Sequence, residues 1–416
     1  MRLVVLGGSG SSTPELVDAL NAWPGGVDRR PSLDLVLVGR SREKLELVAG
    51  ECRARLAPGG PPVTVGTEAD RRRALVGADV VLNQVRVGGL AARSFDESFP
   101  HAFDLPGEET MGPGGFANAL RTVPALRATW DDVAEVAPGA LIVELTNPAG
   151  IVCQAALREW PLRIVGVCDS PVTFTRAIAE RLGRPVARVA RRYLGTNHCG
   201  WYVPEDPAEL DVLADIVTGM DPSVVRLHEA VPAPYVRYYV VPDRQLSAQR
   251  GKGTRASQLQ ALDAELLAGY ATAPGAAAVR RGAPWYGLSV LPLLDVLLDV
   301  TGPDIPLILG VPNDGRIPGL PDATIVEIPH VAARPGELAH LAPHAPQAPE
   351  ELPTLPALPA LLLAQVGAYE ALTVDALSPG APPEARLRAL LTNPLVRDAD
   401  RAAAILAAID AASPGA

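Results

Sequence analysis

Leu3-Val4-Val5-Leu6-Gly7-Gly8-Ser9-Gly10-Ser11-Ser12-Thr13-Pro14-Glu15-Leu16 opens the chain and decides its fold class. The four apolar residues read as a buried strand, and the glycine–serine run after them as a tight turn. From Glu15 the apolar spacing becomes that of an amphipathic helix, and Pro14 falls in a first turn, where a missing N–H costs nothing. Strand, glycine turn and helix form the opening of a dinucleotide-binding unit, with Gly8 and Gly10 in the first two glycine places and Thr13 in the third. The turn N–H groups and the helix start can hold a pyrophosphate, so Gly8, Ser9, Gly10, Ser11 and Ser12 are candidate cofactor-binding residues. Glycine turns also join elements that bind nothing, so the motif needs support from the rest of the chain.

The next eighty residues repeat the pattern. Leu33–Val38 is a second strand, Lys44–Leu56 a helix, Pro61–Gly66 a short strand, Glu68–Leu75 a helix and Asp79–Val85 a fourth strand. Strand–helix alternation of this kind predicts a doubly wound parallel sheet. A dinucleotide fold expects an acidic residue at the end of strand two, to take the ribose hydroxyls of NAD. Here the chain reads Gly39-Arg40-Ser41-Arg42, and Asp34 lies at the wrong end of the strand. Arg40 and Ser41 suit a 2′-phosphate, which leaves NADP open beside NAD. The plain alternative is that Arg40 is a solvated turn residue. Arg86, just past the fourth strand, joins the cofactor-binding group.

Residues 86–120 are polar and glycine-rich, too long for an idle connection, and are expected to form a wall or lid of an active site. Phe116–Ala137 reads as helical with a break near Pro124, Leu141–Leu145 as a strand, and Ile151–Trp160 as a helix. Ile164–Val167 is then a strand running into Cys168, and Val186–Leu194 a strand running into Gly195-Thr196-Asn197-His198. The expected division is a Rossmann-like lobe over residues 1–195 and a mixed α/β lobe over 196–416. In the second lobe Ser257–Tyr270 and Leu288–Leu298 suit helices, Pro306–Leu309 and Thr324–Ile328 strands, and Pro346–Pro359 a proline-rich surface run. Ala360–Leu372, Arg386–Leu391 and Ala402–Ile409 read as closing helices.

Composition bounds the function. The 416 residues, 48% of them hydrophobic, can bury one large two-lobed body. A formal net charge of −10 argues against a nucleic-acid or anionic-membrane surface, while permitting a local basic pocket for a small anion. The four cysteines, at positions 52, 153, 168 and 199, form no Cys-x-x-Cys pair, so a reduced, cytoplasmic setting is expected. The opening residues meet a glycine turn too soon for a signal peptide, and no uninterrupted apolar run reaches transmembrane length.

Cys168 and His198 are the residues most suited to chemistry. Each sits at or just past an expected strand end, where α/β proteins place their sites, and a thiolate with an imidazole can bind a soft or borderline metal ion. A lone Cys is also a common buried hydrophobe and a lone His a common structural residue, so spacing alone leaves the pair open.

Several further stretches, in order along nearly the whole chain, give the sequence a specific resemblance. They are Thr13-Pro14-Glu15-Leu16 after the glycine turn; Arg86-Val87-Gly88-Gly89-Leu90-Ala91-Ala92-Arg93; Asp96-Glu97; Glu109-Thr110; Gly112-Pro113-Gly114-Gly115-Phe116; and Ala119-Leu120-Arg121-Thr122-Val123-Pro124. Asn147-Pro148-Ala149-Gly150, Cys168 with Pro171, and Gly195 with Asn197-His198 continue the series. Tyr235, Tyr238 and Tyr239, Thr254-Arg255, Asn313 with Gly315, and Val326-Glu327-Ile328-Pro329 complete it. The chain resembles glycoside hydrolase family 4, especially its 6-phospho-β-glucosidase branch.

The resemblance implies a lobe arrangement like that of lactate and malate dehydrogenases, and a closed redox cycle. Bound oxidised nicotinamide takes a hydride from sugar C3, and a divalent metal, commonly manganese, stabilises the enediolate formed when a base removes the C2 proton. The C1 aglycone leaves, water adds, and the hydride returns. Carried over by position, Cys168 and His198 would bind the metal, Asn147 the substrate hydroxyls and Arg93 the anionic sugar. Arg255 would add a second phosphate contact, or be an ordinary helix-start arginine. Tyr239 matches the base best, with Tyr238 its competitor, and Glu109 is the acidic partner of that tyrosine; on a strand the two rings would be one in the core and one exposed, and both could not face the pocket. A phosphorylated glycoside is the implied partner, and a homodimer or homotetramer the implied assembly.

Two departures stand beside Arg40. Asp169 comes directly after the metal cysteine where the β-specific branch has Asn and the α-specific branch has Asp, which leaves the anomer open. Glu108 replaces the usual Gln and adds charge at a site for an anion. An α-specific phosphoglycosidase, an NAD(P)-dependent sugar-phosphate dehydrogenase or epimerase, and a sensor without turnover are the alternatives.

Overall fold

The computed structural model describes residues 1–24, 26–276, 280–298, 305–332 and 352–412. Its strands are β1 (Arg2–Leu6), β2 (Leu33–Val38), β3 (Val63–Glu68), β4 (Val80–Asn83), β5 (Leu141–Glu144), β6 (Arg163–Val167), β7 (Tyr193–Thr196), β8 (Cys199–Tyr202), β9 (Val231–Pro232), β10 (Ile305–Pro312) and β11 (Ile325–Ala332). They form one sheet in the order β3-β2-β1-β4-β5-β6-β10-β11-β7-β8-β9. The first six are parallel neighbours in the doubly wound order, as expected. The topological switch lies beside β1, so the crevice for a ligand opens at the carboxyl ends of β1, β2 and β4.

Beyond β6 every described pairing is antiparallel. β10 joins β6 through Leu309 and Gly310, β11 pairs with β10 along its length, and Glu327 of β11 faces Gly195 of β7. The two halves of the chain therefore share one sheet. That continuity carries His198, on the β7–β8 turn, to the same edge of the crevice as Cys168 at the end of β6.

The first-lobe helices are α1 (Pro14–Asn21), α2 (Arg42–Arg55), α3 (Arg71–Leu75), α4 (Gly89–Ser98), α5 (Gly112–Val136), α6 (Ala149–Glu159) and α7 (Asp169–Leu182). The central strands are apolar on both faces, since helices cover both: Leu3, Val4, Val5, Leu35, Leu37, Val81, Leu82 and Val143 are fully buried.

Three local expectations change. The polar stretch 86–120 contains α4 and the start of α5 rather than one long loop, and α5 runs through Pro124 without ending. The glycines there serve close packing: a Cβ on Gly114 would lie 2.3 Å from two backbone oxygens, and one on Gly107 2.0 Å from another. Val186–Leu194 is not a strand. Val186–Ala190 is a helical turn and only Tyr193–Thr196 is extended, because Pro185 starts a helix as well as it precedes a strand. Pro234-Tyr235-Val236 is a 3₁₀ turn running into the helical turn Arg237–Val240, so Tyr238 and Tyr239 are helical neighbours and not strand neighbours.

Part of the proline-rich run, 346–351, lies outside the described residues. Among the described residues one helix, Ala357–Leu377, is long and apolar enough to cross a membrane by length and composition, contrary to the run-length reading. In the fold Leu363, Val366, Tyr369 and Val374 on it are buried against α5, α6 and the helix Ala385–Thr392.

Candidate active site

The glycine turn is built from both halves of the chain. Gly7 has φ +81°, a conformation few L side chains adopt, and a Cβ on Gly8 would stand 2.9 Å from Leu37. Gly8 N–H donates to the Val38 carbonyl at 2.8 Å, which locks the turn to the end of β2. Thr13, in the third glycine place, is fully buried, and its hydroxyl accepts from Gln84 at 3.1 Å. From the second half, Tyr270 donates to the Ser11 carbonyl at 2.7 Å, and Ser11 donates to Asp263 at 2.5 Å. The Glu15 carboxylate accepts from the backbone N–H groups of Arg281, Gly282 and Ala283. Ser9, Ser11 and Ser12 keep backbone N–H groups without a partner among the described residues, a donor set that fits a pyrophosphate.

The turn opens into a pocket of about 1150 Å³. Ser9, Gly10, Ser11, Ser12, Arg40 and Arg86 line one part of it; Arg93, Glu109, Asn147, Cys168, Asp169, His198 and Arg255 line another. Gly8 lies behind the turn. The structure thus brings together nearly every residue singled out in the sequence, from positions 9 to 255.

Cys168 caps α7, its sulfur accepting from Ser170 N–H at 3.4 Å. His198 sits in the two-residue connection between β7 and β8 with φ +63°, buried, and its Nδ1 has no hydrogen-bond partner. The nearest carboxylate is Glu108, 3.9 Å from that nitrogen. Glu108 itself accepts from Thr110 and Met111 N–H at 2.6 and 2.9 Å. Burial pushes its pKa up, but these bonds and His198 outweigh that and hold it below the usual carboxylate range. Burial likewise drives the His198 imidazole down, and Cys168 and Glu108 more than reverse it, holding it well above the usual histidine range. A buried imidazole with an unpartnered nitrogen facing a thiol fits a divalent cation. Among the described residues no group of three or more His, Cys, Asp and Glu could hold a metal ion, so this pair leaves positions open for oxygens from outside the chain.

The tyrosine beside this pair is Tyr235, not Tyr239. Its ring stacks on His198 with centroids 3.9 Å apart, and it lines the pocket. His198 lowers the Tyr235 pKa, while burial and the neighbouring acids leave it raised. Helical spacing puts Tyr238 one turn on, its ring 6.2 Å from Tyr235, where its hydroxyl accepts from Gln249. Tyr239 points elsewhere, buried beside Cys199, Tyr369 and Glu370. Neither lines the pocket. Reading 235–239 as a strand hides this, since helical geometry alone separates the three rings.

Glu109 pairs with arginines rather than with a tyrosine. It is ion-paired to Arg86 and, at 2.8 Å, to Arg93, and receives Asn147 Nδ2 at 3.5 Å. Asn118, which sequence reasoning missed, ties the group together by donating to the carbonyls of Glu109 and Asn147 at 2.9 and 3.0 Å. Arg93 also bonds Glu97 at 2.6 Å, and the other oxygen of Glu97 accepts from Ala256 N–H at 2.8 Å, which sets Arg255 across from Arg93. Arg281, also missed, is the fourth guanidinium: burial and then Arg86, Arg93 and Arg255 depress its pKa against Asp263. Asp169 is half-buried at the start of α7, its pKa raised by burial.

A dinucleotide turn, a thiol–imidazole pair and clustered guanidiniums in one crevice define a dinucleotide-dependent enzyme acting on an anionic substrate. Residues 3–184 match the model of the family 4 glycosyl hydrolases and residues 193–396 that of their C-terminal domain; the chain belongs to this family. It is 31% identical to a probable 6-phospho-beta-glucosidase of Bacillus subtilis over 81% of each chain. To the 6-phospho-beta-glucosidase of Thermotoga maritima it is 28% identical over 98% of this chain and 97% of the other. A structure of that Thermotoga enzyme with manganese, NAD+ and glucose-6-phosphate superposes with a TM-score of 0.84 at 27% identity, covering 99% of this chain and 98% of the other.

Proposed function

We propose that this chain hydrolyses 6-phosphorylated glucosides, the β-anomers first, by redox-neutral elimination with an oxidised nicotinamide dinucleotide and a divalent cation such as manganese. The observation that carries the reading is the placement of Cys168, His198 and Tyr235 beside Arg93 and Arg255 in a pocket continuous with the glycine turn. Relatives named for 6-phosphoglucosides, and a neighbour holding NAD+, manganese and glucose-6-phosphate, support it.

When bound, the dinucleotide would accept and return the C3 hydride, and the metal would polarise the oxygens at C2 and C3. Cys168 and His198 would hold the metal. Tyr235 takes the C2 proton; a cation held at His198 would lower its pKa toward working pH, and the stacked imidazole fixes its ring. Arg93 and Arg255 bind the phosphate, where planar forks suit its oxygens. Glu109, neutralised by Arg86 and Arg93, orients Arg93 and Asn147 toward the sugar. Asp169, beside Cys168 in the pocket lining, serves as the general acid for the leaving group.

Residues 1–195 hold the dinucleotide, and 196–416 supply His198, Tyr235 and Arg255. A cytoplasmic setting suits a catalytic thiol among four free cysteines. Exposed Leu358, Leu361 and Leu391 on the C-terminal helices give a homodimer or homotetramer an apolar surface. The test is release of nitrophenol from nitrophenyl β-glucoside 6-phosphate, compared with the α-anomer and with unphosphorylated glucosides. Release that requires both manganese and dinucleotide, and the phosphate, supports the reading. Release independent of metal and dinucleotide, or net formation of reduced dinucleotide without nitrophenol, overturns it.

A further inference from the structure

Arg40 and Lys44 form a cationic corner at the adenosine end of the pocket. Both line it, and neither side chain has an ion-pair or hydrogen-bond partner among the described residues. Arg40 is exposed, two residues past Val38, the residue whose carbonyl anchors the Gly8 N–H. Between them Gly39 lies against the glycine turn, so close that a Cβ there would meet Ser9 Oγ at 2.9 Å. A dinucleotide whose pyrophosphate sits on Ser9, Ser11 and Ser12 must lay its adenosine ribose along this corner.

The chemistry of the corner is wrong for a bare ribose. Recognition of two hydroxyls calls for a carboxylate at the end of β2, and β2 and the loop after it offer none there. The acids of β2 and β3 are engaged elsewhere. Glu68, opposite Val38 on β3, accepts from Asp70 N–H at 3.0 Å. Asp34 is paired with Arg2 and Thr64 at the far end of β2. Ser41 caps α2 by accepting from Lys44 N–H at 3.3 Å, which leaves its hydroxyl proton free to donate. A guanidinium and an ammonium lining one corner of the pocket, with a hydroxyl between them in the chain, make a phosphate site.

Building on the dinucleotide reading of the glycine turn, we infer that this chain selects NADP over NAD, with Arg40, Lys44 and Ser41 receiving the 2′-phosphate. The Thermotoga neighbour contains NAD+, so the inference separates this chain from that relative within one fold.

Isothermal titration calorimetry tests it on the full chain stripped of nucleotide, with no sugar or metal present. The titrants are NADP+, NAD+, 2′,5′-ADP and 5′-AMP. NADP+ is expected to bind at least about tenfold more tightly than NAD+, and 2′,5′-ADP more tightly than 5′-AMP by a similar factor. Arg40→Asp should abolish or invert both ratios while NAD+ binding is held or gained, and Lys44→Ala should narrow them. NAD+ binding as tightly as NADP+ overturns the inference and leaves the proposed hydrolysis standing. So does a ratio that neither substitution narrows. Failure of all four titrants to bind removes the dinucleotide reading, and this inference with it.

Discussion

At the scale of single residues the site turns on which ring stands beside His198. Tyr235→Phe removes the one pocket-lining tyrosine stacked on the imidazole and should lower kcat about 10²–10⁴-fold with KM little changed. Tyr239→Phe should leave kcat within a few-fold, and steady-state kinetics on the two variants decide between the rings. His198→Ala leaves a single donor at the metal position, so manganese titration should show affinity falling by more than about tenfold. Deeper in the fold Glu370 is a buried carboxylic acid with one oxygen unpartnered, its pKa pushed up to about 8 by burial and by Glu327. Because its folded pKa lies above its unfolded one, the folded state holds the extra proton. Stability from this group is full below about pH 4 and is lost as pH rises toward about 8, by at most about 1.4 kcal/mol per pH unit. Glu370→Gln should therefore flatten the fall in stability between pH 6 and 8, read by denaturant unfolding at each pH.

At the scale of elements Arg255, proposed to bind the phosphate, is placed by a helix end. Thr254 caps the helix Arg255–Thr272 by accepting from Ser257 N–H at 3.1 Å, and its hydroxyl also lies 3.0 Å from Ser94 of α4. Thr254→Ala should cost about 1 kcal/mol of stability and raise KM for the phosphorylated glycoside, because the turn that holds Arg255 frays. Thermal unfolding and KM check the two parts. The elements were unevenly legible in the sequence. Leu3–Leu6 and Leu33–Val38 announce themselves because both faces of a central parallel strand are buried, which leaves an unbroken apolar run. Val186–Leu194 and Pro234–Val240 mislead because the helical piece in each is shorter than the two turns needed to show a helical period, and proline suits either state. Glu109 lines the pocket, but its partners could not be read: Arg86, between β4 and α4, and Arg93, on α4, meet it only in the folded chain. Arg281 carried no local signal at all, since its position depends on the Glu15 carboxylate some 266 residues earlier.

At the scale of the whole molecule one continuous sheet does the assembling. The parallel half positions a dinucleotide turn, the antiparallel half returns His198 to the end of β6, and Glu327 on β11 holds Asn197 at 2.9 Å beside that histidine. The doubly wound half was readable from strand–helix alternation. The joining of the halves through β10 was not, because a single antiparallel strand inserted between β6 and β11 leaves no periodic trace in the chain. In the proposed reaction this crevice would bring a proton acceptor, a metal pair and a hydride-acceptor site to one sugar, and the central claim is that all three act in a single turnover. Hydrolysis of a 6-phospho-β-glucoside in D2O, with manganese and dinucleotide and the product monitored by proton NMR, tests that claim most directly. The account predicts deuterium at C2 of the glucose 6-phosphate released, carried there after Tyr235 has removed the original proton. Product formed with its C2 proton fully retained would contradict it.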